Sequence, residues 1–123
     1  MMRDESNVGL YDLNAEIERF PPDPGSVARH RAEILIKTST LRVVLVTMLT
    51  GGEMHEHAAP GPTTIQVLRG SIRLTIDDVA QDLNAGQLIS LAGGVQHAVN
   101  GIADGAFLLT IAHLDYEPDP GGA

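Results

Sequence analysis

A chain of 123 residues with 43% hydrophobic residues has room for one globular domain with one ordinary core. Its formal net charge of −8 argues against nucleic acid and anionic membranes as partners, because both repel an acidic surface. The absence of cysteine excludes disulfides, thiolate metal sites and cysteine nucleophiles.

The amino-terminal sequence carries no targeting signal. It lacks the basic start and the apolar stretch of a signal peptide. No apolar run in the chain approaches the ~18 residues that a membrane-spanning helix needs. The sequence therefore predicts a soluble, cytoplasmic protein.

Residues 1–31 are expected to form an arm that precedes the main domain. Within it, residues 8–20 place apolar side chains at spacings of three and four, which is typical of one face of a short helix: Leu10, Leu13, Ile17 and Phe20. The prolines that follow, with the turn sequence Pro22-Asp23-Pro24-Gly25, end any such helix.

From Ala32 onward the pattern changes to short β-type runs. Residues 41–49 are apolar on both faces, which is typical of a strand that is buried between two layers. Residues 63–70 and 71–76 are expected to form a hairpin around Gly70. Further strands are expected over residues 32–39, 54–57, 79–83, 87–92, 96–100 and 106–114, and a flexible tail over residues 115–123.

Strands at intervals of about 8–12 residues, separated by Gly and Pro turns, indicate an all-β sandwich or barrel. Parallel α/β folds need helices between their strands, and no helix-length periodic segment lies between residues 32 and 114. Antiparallel closure into a jelly-roll barrel also removes exposed strand edges. One barrel over residues 32–114 is therefore the predicted domain.

Histidines are the strongest candidates for chemistry. In His55-Glu56-His57, strand alternation would point both imidazoles to one face, with Cα atoms roughly 6–7 Å apart, so that they could converge on a metal ion. The competing interpretation is a pair of solvated histidines. The tight turn at Gly93-Gly94 would bring His97 back toward that pair.

These two regions resemble the two sequence motifs of the cupin superfamily. Residues 52–70 contain a glycine, a His-x-His and a hairpin glycine, and residues 86–100 contain a glycine turn followed by a histidine. The likeness covers about residues 32–114 and is strongest to small, stand-alone bacterial cupins of the RmlC-like jelly-roll kind, most of which have no assigned activity. It implies a double-stranded β-helix and a divalent metal ion (Fe, Mn, Ni or Zn) bound by His55, His57 and His97.

The chain departs from that pattern at the acidic ligand. Thr63 occupies the position where the first motif has a glutamate, and Ala92 replaces the usual proline of the second motif. Three outcomes stay open: a three-histidine site with open positions, a site in which Gln66 supplies a neutral oxygen ligand, or a pocket without metal. The competing interpretation of Gln66 is a surface or interface glutamine. His113 is expected to be a buried or rim residue and not a ligand.

Three functional hypotheses follow. The first is a metal-dependent oxygenase or isomerase that acts on a small polar molecule; three neutral histidines leave the charge of the ion uncompensated, which suits an anionic substrate. The second is a module that binds or senses a small ligand without turnover, and the third is a metal-free structural barrel. A homodimer is expected, because the two-sided apolar run over residues 41–49 leaves apolar surface to cover.

Overall fold

The computed structural model describes residues 8–112, without the side chains of Glu56 and His57. The predicted tail and His113 lie outside the described residues. Every strand pairing in the described range is antiparallel, so the predicted all-β class with a short amino-terminal helix is confirmed. The elements are α1 (Leu13–Arg19), β1 (His30–Lys37), β2 (Leu41–Met48), β3 (Glu53–Ala58), β4 (Thr63–Ile76), β5 (Val79–Asn84), β6 (Leu88–Leu91) and β7 (Gln96–Ala112).

The helix α1 is shorter than the apolar spacing predicts. It begins after Asp12, because the Asp12 carboxylate accepts the N–H of Ala15 at 3.2 Å and so caps the first turn. Leu10, which was expected on the apolar face, precedes the helix and is exposed. Within residues 8–112, no helix has the length and apolar character that crossing a membrane requires.

The arm lies on the outside of the barrel, across strands β2 and β4. The hydroxyl of Thr47 donates to the carbonyl oxygen of Phe20 at 2.8 Å. The Arg69 guanidinium bonds to the Glu18 carboxylate and to the Asn14 side chain, both at 3.0 Å. These contacts fix the arm on the outer surface and leave the barrel interior to the strands.

Strand β4 is one continuous strand, so the predicted hairpin at Gly70 is wrong. Both halves of β4 pair with β7, and register shifts occur on either side of Gly70. Gly70 has a φ of 72°, and a Cβ there would overlap the carbonyl oxygen of Asp104. The glycine therefore serves as the corner at which a long strand bends.

Strand β7 likewise joins two runs that were expected as separate strands, residues 96–100 and the described part of residues 106–114. Because β4 and β7 bend together, the sheet folds over and encloses a core. The strand order is β1-β2-β7-β4-β5, with β3 paired to β7 and β6 paired to β4.

The core consists of the apolar side chains that alternate along these strands. Met48 belongs to it and Met54 packs against it. The remaining members are Val44, Val46, Ile65, Val67, Ile72, Leu74, Leu83, Leu91, Val99, Phe107 and Leu109.

Strand β2 is buried on both faces, as predicted. Val44 and Val46 belong to the core, while Val43 and Leu45 on the opposite face are 9% and 1% exposed. These residues are already covered within the single chain, so they do not supply the exposed apolar surface that the dimer hypothesis invoked. Dimerisation stays a prediction without that support.

Candidate functional site

The loop after β3 and the loop before β7 meet at one end of the barrel. The amide of Gly94 in the second loop donates to the carbonyl oxygen of Ala59 in the first, at 3.0 Å. His57 lies just before the first loop and His97 just after the second. We call this region the histidine end, defined by His57, His97 and the two loops; the bend of β4 at Gly70 lies at the other end.

His97 is buried inside the barrel, with 2% of its surface exposed. Its Nδ1 lies 3.1 Å from the carbonyl oxygen of Val95. Because a carbonyl oxygen can only accept, Nδ1 carries the proton in this contact, and in a neutral ring the lone pair is then on Nε2. Hydrogen bonds of this kind orient the imidazoles of metal-binding histidines, which then bind through Nε2.

The backbone register brings His57 to His97. Strand β3 pairs with β7 so that His57 and His97 are direct cross-strand partners. The predicted turn at Gly93-Gly94 is present, and Gly94 has a φ of 82°. Two of the three predicted histidines therefore occupy adjacent positions at one end of the barrel.

His55 is placed differently from the expectation. The register of β3 against β7 shifts between Met54 and His57, so three steps along β3 match two steps along β7. This irregularity interrupts the alternation that was expected to put both motif histidines on one face. His55 is exposed, whereas Met54 packs against the core. As a metal ligand, His55 stays a prediction.

Thr63, at the position of the motif glutamate, lies on the inner face. It is 3% exposed, and its hydroxyl donates to the carbonyl oxygen of Gly61 at 3.1 Å. Its cross-strand partners are Leu91 on β6 and Ile111 on β7. The structure therefore has a neutral hydroxyl, already hydrogen-bonded, where the motif has a carboxylate.

Gln66 lies on the outside of the barrel. Ile65 and Val67 on either side of it are fully buried, and Gln66 itself is exposed, as the alternation of side chains along a strand requires. The competing interpretation, a surface glutamine, describes this position. The tentative ligand role has no geometric basis, because strand alternation turns Gln66 away from the face that carries Thr63.

The donor set fits a metal ion in part. His97 Nε2 is a suitable donor, and the register places His57 beside it. Among the side chains that the structure describes, a set without that of His57, no group of three His, Asp or Glu residues lies close enough together to hold an ion. The described residues thus supply one buried donor and the position of a second.

Arg42 is a further residue of this region, and the sequence patterns did not single it out. Along β2, Arg42 lies on the same face as the core residues Val44 and Val46. Its partner on β7 is Ile111, which in turn pairs with Thr63. Arg42 therefore lies on the inner face, in the same cross-strand row as Thr63, which occupies the position of the motif glutamate. Because β2 is apolar on both faces, the spacing of Arg42 from Val44 and Val46 identifies it only once the inner face is known.

Comparison with known proteins agrees with this architecture. No curated protein matches the sequence significantly. A conserved protein of unknown function from Streptococcus pyogenes superposes with a TM-score of 0.67 at 22% identity, covering 74% of this chain and 80% of that one. An RmlC-like cupin from Desulfovibrio desulfuricans gives 0.64 at 20% identity, covering 91% and 95%. A cupin-2 domain protein from Shewanella frigidimarina gives 0.68 at 14% identity, covering 85% and 95%.

These likenesses confirm the jelly-roll fold. The family model described as a cupin domain matches residues 44–112, from the middle of β2 to the end of β7. That range is more than half of the sequence and includes both histidine motifs. The chain therefore belongs to the cupin family.

Proposed function

We propose that this protein binds a small molecule at the histidine end, through a divalent metal ion held by His57 and His97 with His55 as the third predicted ligand. The observation that carries the proposal is the buried His97 ring, whose Nδ1–H is committed to the Val95 carbonyl. A hydrogen bond from Nδ1 to a backbone carbonyl is the arrangement that orients metal-binding histidines, with Nε2 as the donor atom.

A bound ion would polarise a ligand oxygen and stabilise charge that develops on it. The chain's own contribution is to hold the ligand in a barrel end with an apolar floor. Val99, the next inward residue on β7, is 2% exposed and forms part of that floor together with Leu74. Such surroundings exclude water and strengthen polar interactions with the ligand.

Binding or sensing without turnover is favoured over catalysis by one observation. Thr63 replaces the motif glutamate, and its hydroxyl is already donated to Gly61. Proton transfer in an oxygenase or isomerase would therefore depend on a histidine or on metal-bound hydroxide. A ligand that is recovered unaltered after incubation with the metal-loaded protein supports the binding module, and a new product supports the enzyme.

Metal analysis of tag-free protein, purified without chelators or nickel resin, tests the proposal. We expect about one equivalent of a divalent metal in the wild type and less than about a tenth of that in the triple variant His55→Ala/His57→Ala/His97→Ala. The matched control is His30→Ala, which removes an imidazole from β1 opposite Met48, away from the histidine end. An unchanged metal content in the triple variant contradicts the proposal, and so does a wild type that binds no added metal.

A further inference from the structure

We propose that Arg42 forms an anion site inside the histidine end and binds the carboxylate of the small ligand. The proposal rests on the proposed function for the location of the ligand, and it adds the ligand's chemical class. It starts from an arginine on the inner face of the barrel, where the neighbouring inner residues are apolar or neutral.

The position of Arg42 follows from the strand register. Arg42 pairs with Ile111 on β7, and the next residue, Ala112, donates its amide to the carbonyl oxygen of Pro62 at 2.9 Å. Pro62 belongs to the loop that follows His57. Arg42 therefore reaches the barrel interior at the end where the two histidines pair.

The Nε of Arg42 lacks a hydrogen-bond acceptor among the described parts of the protein. This nitrogen is fully buried. Arg42 as a whole is half-buried, and because arginine stays protonated, its buried N–H donor belongs to a group with a full positive charge. Buried donors of this kind are rare and unfavourable unless an acceptor arrives from outside the fold.

The other arginines of the described chain show that this is not the general pattern. Three form ion pairs, Arg19 with Glu16, Arg69 with Glu18 and Arg73 with Asp82. The two remaining ones contact backbone carbonyls or an aromatic ring: Arg29 with Thr50 and Pro24, and Arg31 with Phe20. The chain has 16 acidic residues against 8 Lys and Arg, so a shortage of carboxylates does not explain Arg42.

A second cation lies beside Arg42. Lys37 on β1 is its direct cross-strand partner and is exposed. Like charges in directly opposed positions destabilise a sheet, and no described carboxylate forms an ion pair with either residue. The two together make a positive rim at the histidine end, on a protein that is acidic overall.

The neighbouring motif position favours a carboxylate as the ligand group. In the row that contains Arg42, a glutamate at position 63 would be a natural ion-pair partner, and the chain has Thr63 there instead, hydrogen-bonded to Gly61. A guanidinium binds a carboxylate through two parallel hydrogen bonds. A small organic acid would therefore supply the negative charge that the protein omits.

The test is a titration of isotope-labelled, chelator-treated protein with lactate, pyruvate and malonate, followed by NMR. Lactamide, which is uncharged, and inorganic phosphate are the comparison probes. We expect one of the carboxylates to shift the amides around Arg42 and Thr63, and Arg42→Met to weaken that binding by about tenfold or more. The matched control Arg73→Met removes an exposed, ion-paired arginine and should leave the affinity unchanged.

Each other outcome overturns the proposal. It fails if no carboxylate binds, if Arg42→Met binds as well as the wild type, or if phosphate binds and the carboxylates do not. Arg42→Lys, which keeps the charge but loses the paired hydrogen bonds, replaces Arg42→Met if the latter does not fold, and should also weaken binding.

Two further experiments separate this proposal from a competing site on the tail and from the proposed metal site. The carboxylates of Asp115, Glu117 and Asp119 could occupy the same site from within the chain. The triple variant Asp115→Asn/Glu117→Gln/Asp119→Asn should therefore bind the probe as the wild type does. Binding by that variant alone would assign the site to the tail. The metal content of Arg42→Met should equal that of the wild type. A failure of the anion site can then be seen while the metal site is intact. In chelator-treated protein, anion binding can likewise be seen without any metal.

Discussion

Replacement of His97 by alanine is expected to weaken zinc binding by at least about 100-fold, because loss of a direct ligand should exceed the 10–100-fold effect of losing an outer-shell partner. His97 is the predicted ligand whose ring is buried and oriented, through the Nδ1 contact with Val95. His55→Ala is expected to have a smaller effect, under about tenfold on the same scale, since His55 is exposed and lies beyond a register irregularity. Competition with a chelating dye measures both affinities.

The comparison of the two variants makes this prediction specific. His30→Ala serves as the control for removing an imidazole elsewhere, and thermal unfolding checks that His97→Ala remains folded. Equal losses in His55→Ala and His97→Ala would contradict the argument from register and burial. No loss in His97→Ala would remove the buried ring from the site altogether.

Replacement of Phe107 by alanine is expected to lower the free energy of unfolding by about 3–5 kcal/mol. Phe107 is completely buried, and it lies between Val46 on β2 and Val67 on β4, both also 0% exposed. Truncating its ring leaves a cavity at the centre of the core, which its rigid strand neighbours cannot close. Because small domains have a total stability of about 5–15 kcal/mol, this one change removes a large part of it.

Urea denaturation followed by circular dichroism measures the loss. The control is Leu88→Ala, which removes a large apolar side chain that is 62% exposed and should cost less than about 0.5 kcal/mol. Phe107→Leu keeps an apolar side chain and should fall between the two. A loss in Phe107→Ala no greater than in Leu88→Ala would contradict the placement of the core.

Local alternation predicted the strand faces well, because the period of two is a property of each strand by itself. In β4 the sequence pattern puts Ile65 and Val67 on one face and Gln66 on the other, and the structure shows that the first of these faces is the inner one. Strand continuity was not predictable in the same way. Gly70 has the positive φ that both a hairpin and a bend can use, and the choice between them depends on β7, which pairs with both halves of β4.

The geometry of the candidate site depended on the same distant partner. The motif pattern predicted which histidines to consider, and the structure pairs His57 with His97. The register shift that separates His55 from that pair exists only in the alignment of β3 against β7, so no local pattern contains it. Arg42 shows a different difficulty: β2 is buried on both faces, which hid from the sequence pattern which of its faces is the inner one.

At the opposite end of the barrel, the polar groups of the turn near Asp104 bond to one another. There, Asp104 accepts hydrogen bonds from the Thr50 N–H and hydroxyl at 2.7 and 2.8 Å, and these bonds hold the pKa of the Asp104 carboxyl below its usual range. The polar groups of that turn are thus occupied by one another. At the histidine end, the Nε of Arg42 has no such partner among the described residues.

The most direct test of the account is a long-range ¹H–¹⁵N spectrum of the histidine rings, recorded on metal-free protein and again after zinc is added. The account predicts that His97 is protonated at Nδ1 in both states, as its contact with Val95 requires, and that zinc shifts the Nε2 resonance of the same ring. A metal-free ring protonated at Nε2, or a spectrum of His97 that zinc leaves unchanged, would contradict the assignment of the histidine end as the binding site.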